Sequence, residues 1–154
     1  MKGGRKVVNA LNGVLANELI SINQTFLHSR ILNDWGMVQF GKKEYKKSIN
    51  DMKQSDQLIA RILFLEGLPN MQQLGRLRIG ETPADILKCE LALALDMRRL
   101  LAQVVELCEE SSDYVSRLLL IGILEDDEKF IDWLEEQETL IEMTGLPNFI
   151  QSQS

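Results

Sequence analysis

Proline is scarce in this sequence of 154 residues: three residues, at 69, 83 and 147, so few points force a helix to stop. Histidine occurs once, as His28, which rules out a metal site built from several imidazoles. Cysteine occurs twice, and neither Cys89 nor Cys108 has a second cysteine or a histidine at metal-ligand spacing. A disulfide framework and a zinc knuckle are both excluded, and the two read as reduced core thiols. The longest uncharged apolar run, residues 118–124, falls far short of the ~18 residues that a membrane span needs, so no membrane partner is expected. No long basic run is present and the net charge is −6, so the electrostatic footprint of a nucleic-acid binder is missing. The start of the chain does not read as a leader segment, and with reduced cysteines this gives the expectation of a cytoplasmic protein.

Long stretches with helical periodicity and no breakers fill the rest of the chain. The first runs from about Arg5 to Asn33 and stops near Trp35 and Gly36. The second runs from about Gln39 to Leu65 and stops at Gly67, with Pro69 just beyond. The third opens at Thr82, Pro83 and Asp85, a capping hydroxyl, a first-turn proline and a dipole-favoured acid, and continues to about Glu110. The fourth opens at Ser112 and Asp113 and runs to about Met143, closed by Gly145; a short fifth spans about Pro147 to Gln151. No hairpin signal appears. Short first-to-second and third-to-fourth links make antiparallel pairs, whereas the long segment 66–82 can travel the length of a bundle. The expected fold is an all-α, ferritin-like four-helix bundle with one long crossover and a short fifth helix, a single domain over residues 1–154.

The inner stripes carry more charge than a core should. Leu11, Val14, Leu15, Glu18, Ser21, Ile22 and Thr25 form one stripe; Ser48, Asp51, Ser55, Leu58 and Ile62 form the second, with Gln54 beside it. The third holds Leu87, Glu90, Ala94, Met97 and Leu101, and the fourth Leu120, Ile123, Asp127, Phe130, Leu134 and Ile141. Three acids, Glu18, Asp51 and Asp127, share mid-bundle register, and buried carboxylates without partners are costly. Bundles that hold two irons use a Glu from each of two helices and Glu-x-x-His from each of the other two. Here the paired motifs read Asp51-x-x-Gln54 and Asp127-x-x-Phe130, and the lone positions read Glu18 and Ala94. Glu18 is intact, Asp51 and Asp127 are a methylene short, and Gln54, Ala94 and Phe130 have lost a charged or imidazole ligand. His28 lies about two and a half turns from Glu18, too far to substitute.

The segments 9–20, 61–70, 113–117 and 131–135 and the tail Asn148-Phe-Ile-Gln-Ser-Gln resemble bacterioferritin, and the likeness runs along essentially the whole chain. The resemblance implies a cytoplasmic iron-storage shell of about two dozen chains built from isologous dimers, with haem b held between one methionine of each subunit. That methionine falls on Met52. Leu19, Ile22, Asn23, Phe26, Tyr45 and Ile49 resemble the haem pocket, with Asp56 on the same ridge and Met71 as a further contact. Two thioether ligands favour ferrous haem, suited to passing electrons into a ferric mineral core. Family activity is oxidation of ferrous iron, but this chain has Thr25 where the family often has Tyr, and Lys46 and Asn50 where some members bind iron on the cavity wall. Lys42, Lys43, Lys46 and Lys47 read as a solvated basic face.

The leading expectation is therefore a haem-carrying subunit whose own di-iron centre is absent or nearly inactive. It would form homo-oligomers and, with a ferroxidase-competent bacterioferritin chain, hetero-oligomers, and take electrons from a ferredoxin-type reductase. A weakly active ferroxidase using Glu18, Asp51 and Asp127 is the alternative, and a purely structural shell protein a third.

Overall fold

A computed structural model describes residues 1–72 and 75–154. Four long helices and one short one follow in order: α1 Arg5–Asp34, α2 Val38–Phe64, α3 Pro83–Glu110, α4 Tyr114–Thr144 and α5 Leu146–Ser152. Each long helix agrees with the periodicity to within about two residues at either end, and α1 at 30 residues is ~45 Å long. The cap of α3 is as expected: the Thr82 hydroxyl accepts the Asp85 amide, with Pro83 in the first turn.

Two helix stops differ in detail from the sequence expectation. After α2 the left-handed residue is Glu66, at φ 61°, while the Gly67 amide reaches back to the Ile62 carbonyl at 2.9 Å. Gly67 is needed for a different reason: a Cβ there would stand 2.5 Å from a methyl of Val8. After α3 the left-handed residue is Ser112, at φ 57°, so Ser112 ends one helix and Asp113 alone caps the next, accepting the Ser116 amide.

The Gly3 amide bonds the Leu65 carbonyl, which places the start of α1 beside the end of α2. Arg61 near the end of α2 bonds Asp113 and Ser116 at the start of α4, and His28 near the end of α1 meets Glu90 near the start of α3. The helices α1 and α2 are thus antiparallel, as are α1 with α3 and α2 with α4, and the crossover must run the length of the bundle. It does so along α1, whose polar side chains satisfy its backbone in sequence. Asn12 bonds the Leu68 carbonyl and the Asn70 amide, Gln24 accepts the Arg78 amide, and His28 accepts the Gly80 amide.

Two apolar clusters fill the bundle. One packs Leu11, Leu15, Leu58, Ile62, Leu101 and Leu120; the other packs Leu32, Phe40, Ile86, Leu87, Leu134 and Phe149 from α5. Cys108 lies in the first, where burial pushes its thiol up to about 11; Cys89 is only half-buried and is not the core thiol expected. Between the clusters lies a layer of buried polar side chains, to which all four long helices contribute.

Candidate functional site

Mid-bundle, the three register-matched carboxylates are buried together: Glu18 on α1, Asp51 on α2 and Asp127 on α4. Their environment opposes ionisation. Burial raises the Glu18 carboxyl well above the usual range, and the Asp51 and Asp127 charges raise it further. Burial also raises Asp51, against the pull of Lys47, and it lifts Asp127 to about 7. One oxygen of Glu18 and one of Asp127 have no hydrogen-bond partner among the described residues.

What holds these acids together is Lys47. Its ammonium donates to Asp51 Oδ1 at 2.5 Å and stands 5.1 Å from the centroid of the Phe130 ring. The other Asp51 oxygen accepts the Ser21 hydroxyl at 2.5 Å. Burial works against the Lys47 charge, but Asp51, Glu18 and Asp127 outweigh it and the pKa is raised, so the amine stays cationic. This corrects the reading of a solvated basic stretch. Lys42 and Lys46 are exposed as expected, Lys43 lies over the Trp133 ring, and Lys47 turns inward with its side chain only 14% exposed.

The remaining ligand positions are filled or diverted. Ala94 is buried without a polar group, Phe130 offers Lys47 an aromatic face, and Gln54 donates to Asp126 at 2.9 Å. Thr25 bonds back to the Ser21 carbonyl at 2.7 Å. A cavity of about 10 Å³ is left among Glu18, Lys47, Glu90, Ala94, Asp127 and Phe130. That is room for about one water. Two irons bridged by carboxylates do not fit this donor set: a fixed cation already occupies it, and neither imidazole is present.

A second polar cluster went unnoticed in the sequence. His28, Glu44 and Glu90 are all fully buried, with potential ligand atoms within 4.8 Å of one another. Glu44 continues the inner stripe of α2 one turn before Lys47 and Ser48, a signal that was available in the heptad register. His28 meets Glu90, which lines the small cavity beside Glu18 and Asp127.

The outward face of α2 has a different character. Tyr45, Met52 and, on α1, Phe26 are large side chains 40%, 52% and 46% exposed, and Met71 of the crossover is likewise exposed. Leu19, Ile22 and Ile49 are half-buried beneath them, with Asn23 and Asp56 in solvent. The Arg30 guanidinium stands 5.1 Å from both the Phe26 and the Tyr45 ring centroids, which pins the aromatic pair. A contiguous apolar ridge of this kind on a single chain is the mark of an interaction surface.

Comparison with known proteins gives a consistent answer. The family model described as Ferritin, a ferritin-like domain, matches residues 8–144. A protein of Rhodobacter capsulatus named bacterioferritin is 42% identical over 149 residues, which is 97% of this chain and 92% of that one. A bacterioferritin of Brucella melitensis is 43% identical over 145 residues, 94% of this chain and 90% of its own length. Bacterioferritin BfrA of Mycobacterium tuberculosis is 37% identical over 145 residues, with coverage of 94% and 91%.

Proposed function

The chain belongs to the ferritin-like family and, within it, to the bacterioferritins, and from that premise we propose that it is an iron-storage shell subunit that carries haem b and leaves iron oxidation to a partner chain. The observation that carries this reading is the Lys47 ammonium among Glu18, Asp51 and Asp127, where a di-iron subunit needs its metals. An internal cation neutralises the acids but transfers no electrons. With Phe130 and Ala94 in ligand positions, no step of ferrous oxidation is assigned to this centre.

The outer ridge fits the haem. Met52 offers an exposed thioether, a soft donor suited to haem iron, and Phe26, Tyr45 and Met71 are also large exposed side chains. Met52 of each of two chains would ligate the iron, with Leu19, Ile22, Phe26, Ile49 and Met71 as apolar walls and Asn23 and Tyr45 as polar edges. When bound, haem b supplies one-electron transfer. The residues of this chain hold it in a dry interface and favour its ferrous state, which suits reductive release of stored ferric iron with electrons from a ferredoxin-type reductase. Isologous dimers make mixing cheap, because a paralogue with the same outer helix faces fits either side.

A second reading keeps weak oxidation at one metal, favoured by the unpartnered oxygens of Glu18 and Asp127 on the small cavity. It ranks lower because an incoming divalent ion would have to share that cavity with the ammonium.

Haem content and co-assembly test the proposal. Protein expressed with ample haem should show a bis-methionine spectrum at one haem per dimer, and Met52→Leu should lose it while the particle stays shell-sized. Co-expression with a paralogue that has all six di-iron ligands, with a tag on one chain, should recover both in one particle. Unchanged haem in Met52→Leu overturns the haem assignment; pure shells alone overturn the mixing.

A further inference from the structure

Glu44 is the least provided-for polar group in the bundle. It is fully buried, and neither carboxylate oxygen has a hydrogen-bond partner among the described residues. An orphaned buried carboxylate is among the costliest features a fold can hold, and it calls for an occupant that the neighbouring side chains do not supply. Lys47 does not fill that role, since its ammonium is engaged with Asp51.

Glu90, across the bundle on α3, is provided for differently. Its Oε1 accepts from His28 Nδ1 at 2.6 Å and from Gln24 Nε2 at 3.2 Å. The His28 tautomer follows from its other nitrogen: Nε2 accepts the Gly80 amide at 3.0 Å, so the hydrogen lies on Nδ1. The ring is thereby aimed at Glu90 from a position fixed by the crossover, and Gly80 must be glycine because a Cβ there would stand 2.5 Å from the Ile86 nitrogen. Two donors fix one Glu90 oxygen, and Glu44 lies opposite it. The ligand atoms of Glu44, Glu90 and His28 all fall within 4.8 Å of one another.

We propose that Glu44 and Glu90 hold a single divalent cation, with His28 as the outer donor that fixes Glu90. A Glu44 oxygen without a partner and a Glu90 oxygen within 4.8 Å of it can both reach one ion at about 2.0–2.4 Å. A dipositive ion cancels both charges, which a water does not. Hard oxygen donors with an imidazole behind them suit manganous, ferrous or zinc ions and disfavour cuprous ion. The arrangement of a ligand whose free side is hydrogen-bonded to a second residue is the usual support of a built metal site. This site adjoins the mid-bundle acids, since Glu90 also lines the small cavity beside Glu18 and Asp127, so Lys47 is the cation on one side and a bound ion would be the cation on the other.

Zinc-soaked crystals of chelator-treated, core-free shells, with anomalous scattering measured at the zinc edge, test this directly on the unaltered protein. A peak between Glu44 and Glu90 is expected. Manganous or zinc titration in solution should show about one ion per chain lost in Glu44→Gln, which is isosteric and replaces one donor oxygen by an amide nitrogen. Glu142→Gln, at an exposed position of α4, should bind as the parent does. Absence of a peak between Glu44 and Glu90, a peak only in the Glu18 and Asp127 cavity, or affinity in Glu44→Gln within threefold of the parent would overturn the proposal.

Discussion

The two faces of α2 share one helix and have opposite fates. Inward, Lys47, Asp51, Gln54 and Ser55 lie in a polar layer whose cation is a side chain. Outward, Tyr45, Ile49 and Met52 present an apolar ridge with a soft sulfur donor and no acid–base bonds of their own. The residues on the two faces alternate along the same turns, so the difference is not one of local folding. It lies in what each face is asked to bind. A di-iron site needs about six side chains in fixed geometry, and on the proposed reading the three replaced here leave too few. A haem edge needs one sulfur and an apolar surface, which tolerates variation in everything but the sulfur. On the proposed reading the inner face holds no irons, and Lys47, bonded to Asp51, is the counter-ion its acids have.

Removing Lys47 should have the largest effect on this contrast. Lys47→Ala leaves Asp51 and its neighbours as buried acids without a counter-ion, and the expected loss of stability is about 3–5 kcal/mol at pH 8, read from the denaturation midpoint. A loss below about 1 kcal/mol would mean that the ammonium is a bystander. Adding a divalent cation should rescue the variant more than the parent, because the vacated place suits an ion.

The pH dependence is the next effect in size. Burial lifts Asp127 from its usual range to about 7, so the folded chain keeps a proton that the unfolded chain releases near 4. That stability is fully present below about 4 and is lost as pH rises through 7, changing by about 1.4 kcal/mol per pH unit between them. Glu18 and Asp51 shift in the same direction. The thermal midpoint should therefore rise on acidification from pH 7.5 to 5.5, and Asp127→Asn should flatten the slope. A midpoint that falls over this interval would contradict the burial of neutral acids.

The outer face gives the smallest effect on stability. Met52→Leu changes an exposed side chain and should move the chain's stability by less than about 0.5 kcal/mol. If the same variant destabilised the bundle as Lys47→Ala does, the ridge would be core and not a surface kept for a ligand.

Much of this was legible in the sequence because periodicity reports burial. The helices, the crossover and the meeting of Glu18, Asp51 and Asp127 all follow from 3.6-residue spacing. Lys47 was not read correctly because composition dominated pattern: four lysines within residues 42–47 look like one solvated face. Register separates them, since Lys47 lies four residues before Asp51 and on the same stripe, while Lys42 and Lys46 do not. Glu44 is masked in the same way, because it lies between Lys43 and Lys47 although it is buried one turn before Ser48. The hydrogen bonds from His28 to Glu90 and Gly80 were beyond reach of spacing, because they join α1 to α3 and to the crossover.

The most direct test of the closed inner site is stopped-flow oxidation of ferrous iron by the homomeric protein, freed of mineral and haem. With Lys47 in place of metals, oxidation should be slow and should show no phase that saturates with added iron. A fast phase that saturates at about two irons per chain would show that a di-iron centre assembles after all, and would contradict the account.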